Sequence, residues 1–94
     1  MFPQLVTYFH DKPVKRAYVF GSVVRGEQTD GSDVDILVEL DYSGGADFYQ
    51  FLTMQEQLSE LLDRPVDLVS ANGLSPFIKP FIDREKQLIY EKVA

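Results

Sequence analysis

The chain has no cysteine, so neither a disulfide framework nor a thiolate metal site is available to it. No apolar run approaches the ~20 residues that span a bilayer. The N-terminus lacks the basic flank and apolar stretch of a signal peptide, which makes a cytoplasmic protein the expectation. Basic residues are few: nine Lys and Arg stand against fifteen Asp and Glu, a net charge of −6. Direct nucleic-acid binding is therefore not expected, because it needs several cations on the phosphates. No internal repeat, linker or composition shift divides the 94 residues, so one domain over 1–94 is expected. What the chain does have is 45% hydrophobic and 13% aromatic content, enough to fill one core.

Taken in order, residues 4 to 11 predict a short helix behind Pro3, ended at Lys12-Pro13. Lys15 to Phe20 reads as a strand apolar on both faces, suited to the centre of a sheet. Ser22 is placed to cap a turn of helix through Arg25, shortened by Gly26, and Thr29 to Ser32 is a dense turn cluster. A second strand spans Asp33 to Leu40, with Val34, Ile36 and Val38 on one face and Asp33, Asp35 and Leu37 on the other. A flexible loop over residues 41–46 leads to Asp47, which caps the longest helix, about 48 to 62. Phe48, Phe51, Leu52, Leu58, Leu61 and Leu62 form its apolar stripe, with Gln55 breaking the middle. Asp63-Arg64-Pro65 ends the helix before a short third strand at Val66 to Val69. Leu74, Phe77, Ile78, Phe81 and Ile82 keep helical spacing, and Pro80 either kinks that helix or starts it. Gln87 to Tyr90 reads as a final edge strand. The alternation gives a small α/β fold, a mixed sheet of three to four strands packed against helices.

The chemistry concentrates between residues 20 and 35. Asp33 and Asp35 share a strand face with Cα atoms ~6–7 Å apart, and two such carboxylates repel unless a cation lies between them. Mg²⁺ binds through one or two carboxylates plus substrate phosphates, which suits the pair. Alone, however, D-x-D is a common pattern. Gly21-Ser22 at a strand-to-helix junction offers backbone N–H groups and a hydroxyl to a phosphate. Asp67, an acid inside a short apolar strand, has a reason to be there if it stands beside Asp33 and Asp35. Arg25 is placed either to neutralise phosphate charge or to pair on the surface with Glu27 or Asp30.

The spacing joins these parts: Gly21-Ser22, ten residues, then Asp33-Val34-Asp35, with Arg25-Gly26 and Ser32 between. This pattern resembles the signature of the DNA polymerase β-type nucleotidyltransferase superfamily and, more narrowly, its minimal nucleotidyltransferase (MNT) family. Chain length and the later Pro65 to Val69 strand fit that family too. The resemblance implies a two-layer nucleotidyltransferase core that transfers a nucleoside monophosphate and releases pyrophosphate. It implies Gly21 and Ser22 on the phosphates, with Arg25 and Ser32 beside them. Asp33, Asp35 and Asp67 become ligands of two Mg²⁺ ions, Asp67 also serving as base. It further implies an antitoxin that moves AMP from ATP onto a tyrosine of a HEPN-domain ribonuclease toxin.

Two alternatives stand beside that expectation: an antitoxin that acts by steric binding alone, and nucleotidyl transfer to a small molecule. The latter ordinarily needs a further helical domain for its acceptor. A D-x-D glycosyltransferase is far larger than this chain. A calcium loop starting at Asp33 fails because Leu37 falls where an oxygen ligand belongs and Val38 where glycine is needed. His10 reads as a surface residue near a helix end, and Tyr42 as the first candidate for self-modification among tyrosines that mainly pack.

Overall fold

The computed structural model describes residues 2–27 and 33–93. Its elements are α1 (Pro3–Phe9), β1 (Val14–Phe20), α2 (Ser22–Arg25), β2 (Val34–Leu40), α3 (Phe48–Leu62), β3 (Val66–Ser70), a 3₁₀ turn (Ala71–Gly73), α4 (Lys79–Glu85) and β4 (Gln87–Glu91). The four strands make one mixed sheet in the order β3-β2-β1-β4. β1 lies centrally, antiparallel to both β2 and β4, whereas β2 and β3 run parallel. A parallel pair requires a crossover, and α3 supplies it.

Strand alternation sorts the sheet into two unlike faces. Ala17 and Val19 of β1, Val34, Ile36 and Val38 of β2, and Val66 and Leu68 of β3 are buried in one cluster with Leu5 and Phe9 of α1 and Met54 and Leu58 of α3. Tyr18, Phe20, Asp35, Leu37, Glu39, Asp67 and Val69 alternate to the opposite face. There Leu37 and Ile82 are buried outside the main cluster. Lys79, Asp83 and Lys86 line a cavity with Leu37 and Glu39, which puts α4 over part of this second face.

Local rules explain most boundaries. Asp47 caps α3 as expected, its carboxylate accepting from the Gln50 N–H at 2.7 Å. Asp63 closes the helix in the left-handed conformation at φ 53°, tolerable for a residue with a short polar side chain. Pro80 starts α4 rather than kinking it, because at the second helical position its missing N–H costs nothing.

Three details differ from the sequence reading. Ser22 is the first residue of α2, not its cap; Gly21 holds the cap position and no side-chain cap bond forms. On α3 the buried line runs through Met54 and Leu58, while Phe48, Leu52 and Leu61 are exposed. Gln55 does not interrupt that line: its Oε1 accepts from the Leu68 N–H, and Ser59 Oγ accepts from the Val66 N–H at 3.1 Å. Those two side chains satisfy two outward N–H groups of β3, an edge strand. Finally, of the apolar set spaced along residues 74–82, Phe77, Ile78 and Phe81 face solvent and Ile82 alone is fully buried. Helical spacing reaches further back than the helix, which begins only after the first three of those residues.

Candidate active site

The site starts where β1 ends. Phe20 is the cross-strand partner of Asp35, so the residue after Phe20 must turn directly over that carboxylate. Gly21 does so at φ 76°, and a Cβ built there would run into Asp35 Oδ2. Glycine is needed twice over, for the backbone angle and for the space. The following turn of helix ends at Gly26, left-handed at φ 73°, whose N–H bonds back to the Ser22 carbonyl. That short α2 brings Arg25 round to the same side.

Asp35 and Asp67 are register partners on the parallel strands β2 and β3. Adjacent strands lie about 4.8 Å apart, so the two side chains stand next to each other on the open face. Asp33 precedes β2, exposed, two residues from Asp35. Burial pushes the Asp35 carboxyl up from its ordinary pKa; the negative charges of Asp67 and Asp33 push it further, with Arg25 acting against them. That is the signature of a site short of positive charge. Among the described residues, no three acids or histidines close around a point tightly enough to enclose a metal ion by themselves. An Mg²⁺ ion completed by substrate phosphates does not require such a cage, and the crowded, half-buried Asp35 beside Asp67 fits one.

Arg25 is held by two carboxylates. Its Nε donates to Glu27 at 2.8 Å, and its Nη1 to both oxygens of Glu85 at 3.0 and 3.1 Å. Glu85 also accepts the Gly21 N–H at 2.8 Å. That bond, with Arg25, holds the Glu85 carboxyl below its ordinary range. Sequence reasoning missed Glu85. Its one signal is position: an acid on the last residue of α4 opposes the helix dipole and so calls for a compensating partner.

Of the expected site residues, Gly21, Asp35 and Asp67 stand together, Arg25 and Asp33 are near enough to act on the Asp35 charge, and Ser22 follows Gly21 at the start of α2. Ser32 lies outside the described residues. His10 is exposed and lines a separate cavity with Val6 and Ile89, away from the acids. Tyr42 is exposed, and its hydroxyl accepts from Asn72 Nδ2 at 3.4 Å. It borders the cavity of about 340 Å³ that lies further along the same face, past Leu37 and Glu39.

Residues 4–93 match the family described as polymerase beta, nucleotidyltransferase. The chain belongs to that family. Among relatives of this nucleotidyltransferase, the protein adenylyltransferase MntA of Thermococcus cleftensis is 42% identical over 72 residues, 77% of this chain and 71% of the relative. A solved structure provisionally named a minimal nucleotidyltransferase superposes with a TM-score of 0.79 at 32% identity, covering 93% of this chain and 88% of that one. Two further structures share the fold. A toxin–antitoxin with AMP-PNP gives a TM-score of 0.78 at 23% identity, over 94% and 72% of the two chains. A tri-AMPylated Shewanella oneidensis HEPN toxin in complex with an MNT antitoxin gives 0.59 at 22%, over 81% and 56%.

Proposed function

We propose that this nucleotidyltransferase is a Mg²⁺-dependent protein adenylyltransferase, an antitoxin that moves AMP from ATP to a tyrosine hydroxyl of a HEPN-type ribonuclease toxin. The observation that carries the reading is the row formed by Gly21, Asp35 and Asp67: a turn glycine pressed onto one carboxylate, and a second carboxylate across the strand from it. The adenylyl group and the protein acceptor come from the kinship with MntA and with the AMPylated toxin complex. A cytoplasmic location belongs to the same reading; among the described residues, no helix is long and apolar enough to cross a membrane.

In this scheme Asp33, Asp35 and Asp67 hold Mg²⁺, which supplies charge stabilisation on the attacking and leaving oxygens. Ser22, on the turn that Gly21 makes, and Arg25 receive the β- and γ-phosphates, and Ser32 belongs to the same phosphate-side set. Asp67 takes the proton of the acceptor hydroxyl as its oxygen bonds to the α-phosphorus. The α–β bridging bond breaks and pyrophosphate leaves. The open sheet face beside Asp67 is where the acceptor enters, and a protein partner brings it.

Incubation with labelled ATP, Mg²⁺ and the cognate toxin tests this. Label should move to the toxin, and Asp33→Asn or Asp35→Asn should reduce transfer on the order of a thousandfold, since each removes a metal ligand. Neutralisation that persists in both variants without any label on the toxin would leave steric binding as the function.

A further inference from the structure

We propose that Glu85 is a positioning residue for the triphosphate, acting through Arg25 and the Gly21 turn. The proposal rests on the nucleotide-binding reading above and adds a residue to it. Glu85 is the last residue of α4, where a carboxylate faces the negative end of the helix. Two partners offset that placement, the Gly21 N–H at 2.8 Å and Arg25 Nη1 at 3.0 and 3.1 Å. One carboxylate thus ties three pieces of chain together: the end of α4, the turn after β1, and the end of α2.

This link has two consequences for phosphate recognition. The Gly21 N–H is committed to Glu85, so it is not a phosphate donor; Ser22 and Arg25 carry that contact. Arg25 is also no longer a free, many-rotamer side chain. Its Nε goes to Glu27 and its Nη1 to Glu85, so the edge of the guanidinium bearing Nη2 is the part these two carboxylates leave for a ligand. A pre-aimed guanidinium binds phosphate more tightly than one that must first be ordered. Because the same carboxylate holds the turn that presses on Asp35, the phosphate side and the metal side of the site share one anchor.

Calorimetric titration in Mg²⁺ compares a non-hydrolysable ATP analogue, inorganic tripolyphosphate and AMP on the wild-type protein, Glu85→Ala, Glu85→Gln, Arg25→Ala and the Arg25→Ala/Glu85→Ala pair. Glu85→Ala should weaken analogue and tripolyphosphate about tenfold, the loss of one charge-assisted contact's worth of order, and leave AMP unchanged. Glu85→Gln keeps an acceptor for the Gly21 N–H and should lose only about two- to threefold. In the Arg25→Ala background, removing Glu85 should cost much less than in the wild type. An unchanged or tighter analogue affinity in Glu85→Ala overturns the proposal, the tighter case meaning that the carboxylate competes with phosphate. An equal loss for AMP and analogue, or for alanine and glutamine, also overturns it, since general loosening of the fold would act that way. A wild-type protein that binds neither analogue nor tripolyphosphate removes the nucleotide reading itself, and this proposal with it.

Discussion

Asp35 and Ile36 are neighbours in the chain and belong to opposite faces of the sheet. Ile36 is wholly buried among apolar side chains from α1, α3 and the flanking strands. Asp35 faces the other way, beside Asp67, under Gly21, with its charge disfavoured. One face of β2 therefore stabilises the fold, while the other holds like charges together against their repulsion. The stabilising face tolerates the cost on the functional one, because the total stability of a small domain is set by the difference of large terms. The two faces should be separable by mutation even though the residues are adjacent.

The sharpest break in that separation is Gly21→Ala. It forces a side chain into positive φ and drives its Cβ onto the Asp35 carboxylate, so it damages turn and acid together. Transfer to the toxin should fall on the order of a hundredfold, with a stability loss of about 1–3 kcal/mol measured by urea unfolding. Wild-type-like transfer by this variant would show that the turn is not pressed on the acid in solution.

Ile36→Ala tests the other face. Removing a fully buried side chain from the core should cost about 2–5 kcal/mol of unfolding free energy. Transfer per folded molecule should stay within about twofold at a temperature where the variant remains folded, because no site residue is removed. If instead its activity collapses while it is folded, the two faces are mechanically coupled and the comparison fails.

Asp35→Asn gives the counterpart, and pH supplies its sign. The fold raises the Asp35 pKa above its ordinary 3.8, so the native state binds that proton more tightly than the unfolded chain. Ionisation of Asp35 consequently costs stability: as pH rises from the ordinary value through the raised one, the wild type should lose stability relative to Asp35→Asn. Above that window the difference stays constant. In metal-free buffer near neutral pH the asparagine variant should therefore melt higher than the wild type, and adding Mg²⁺ should narrow or invert the gap. Melting curves at several pH values check this; a wild type that gains on the variant as pH rises would contradict the repulsion.

The contrast between faces also explains what could be read in advance. Val34, Ile36 and Val38 alternate with Asp33, Asp35 and Leu37 in the sequence, so the strand and its two faces were legible from period alone. Asp47 and Asp63-Arg64-Pro65 announced both ends of α3 through capping and proline chemistry. The pairing of Asp35 with Asp67 was legible only as a motive for an acid in an apolar strand, because its register depends on the long crossover over residues 41–65. The helical spacing of Leu74, Phe77, Ile78, Phe81 and Ile82 left open whether Pro80 kinks a helix or starts one, since periodicity cannot say where a helix begins. Glu85 carried almost no local signal; its partners lie 60 and 64 positions away.

The smallest effect is the most useful for joining the faces. Asp67 stands opposite Asp35 because β3 keeps its register, and α3 holds the outer edge of β3 through Ser59 on Val66 and Gln55 on Leu68. Ser59→Ala and Gln55→Ala each leave one strand N–H without that acceptor and should cost about 1 kcal/mol. The two bonds belong to the core side of the sheet, yet they hold the strand that carries Asp67. If the register is set jointly by them and by packing of Val66 and Leu68, each single variant should keep most of its transfer activity. The double variant should then lose several-fold, with faster amide exchange at Val66 and Leu68. Full activity in the double variant would mean that packing alone places Asp67.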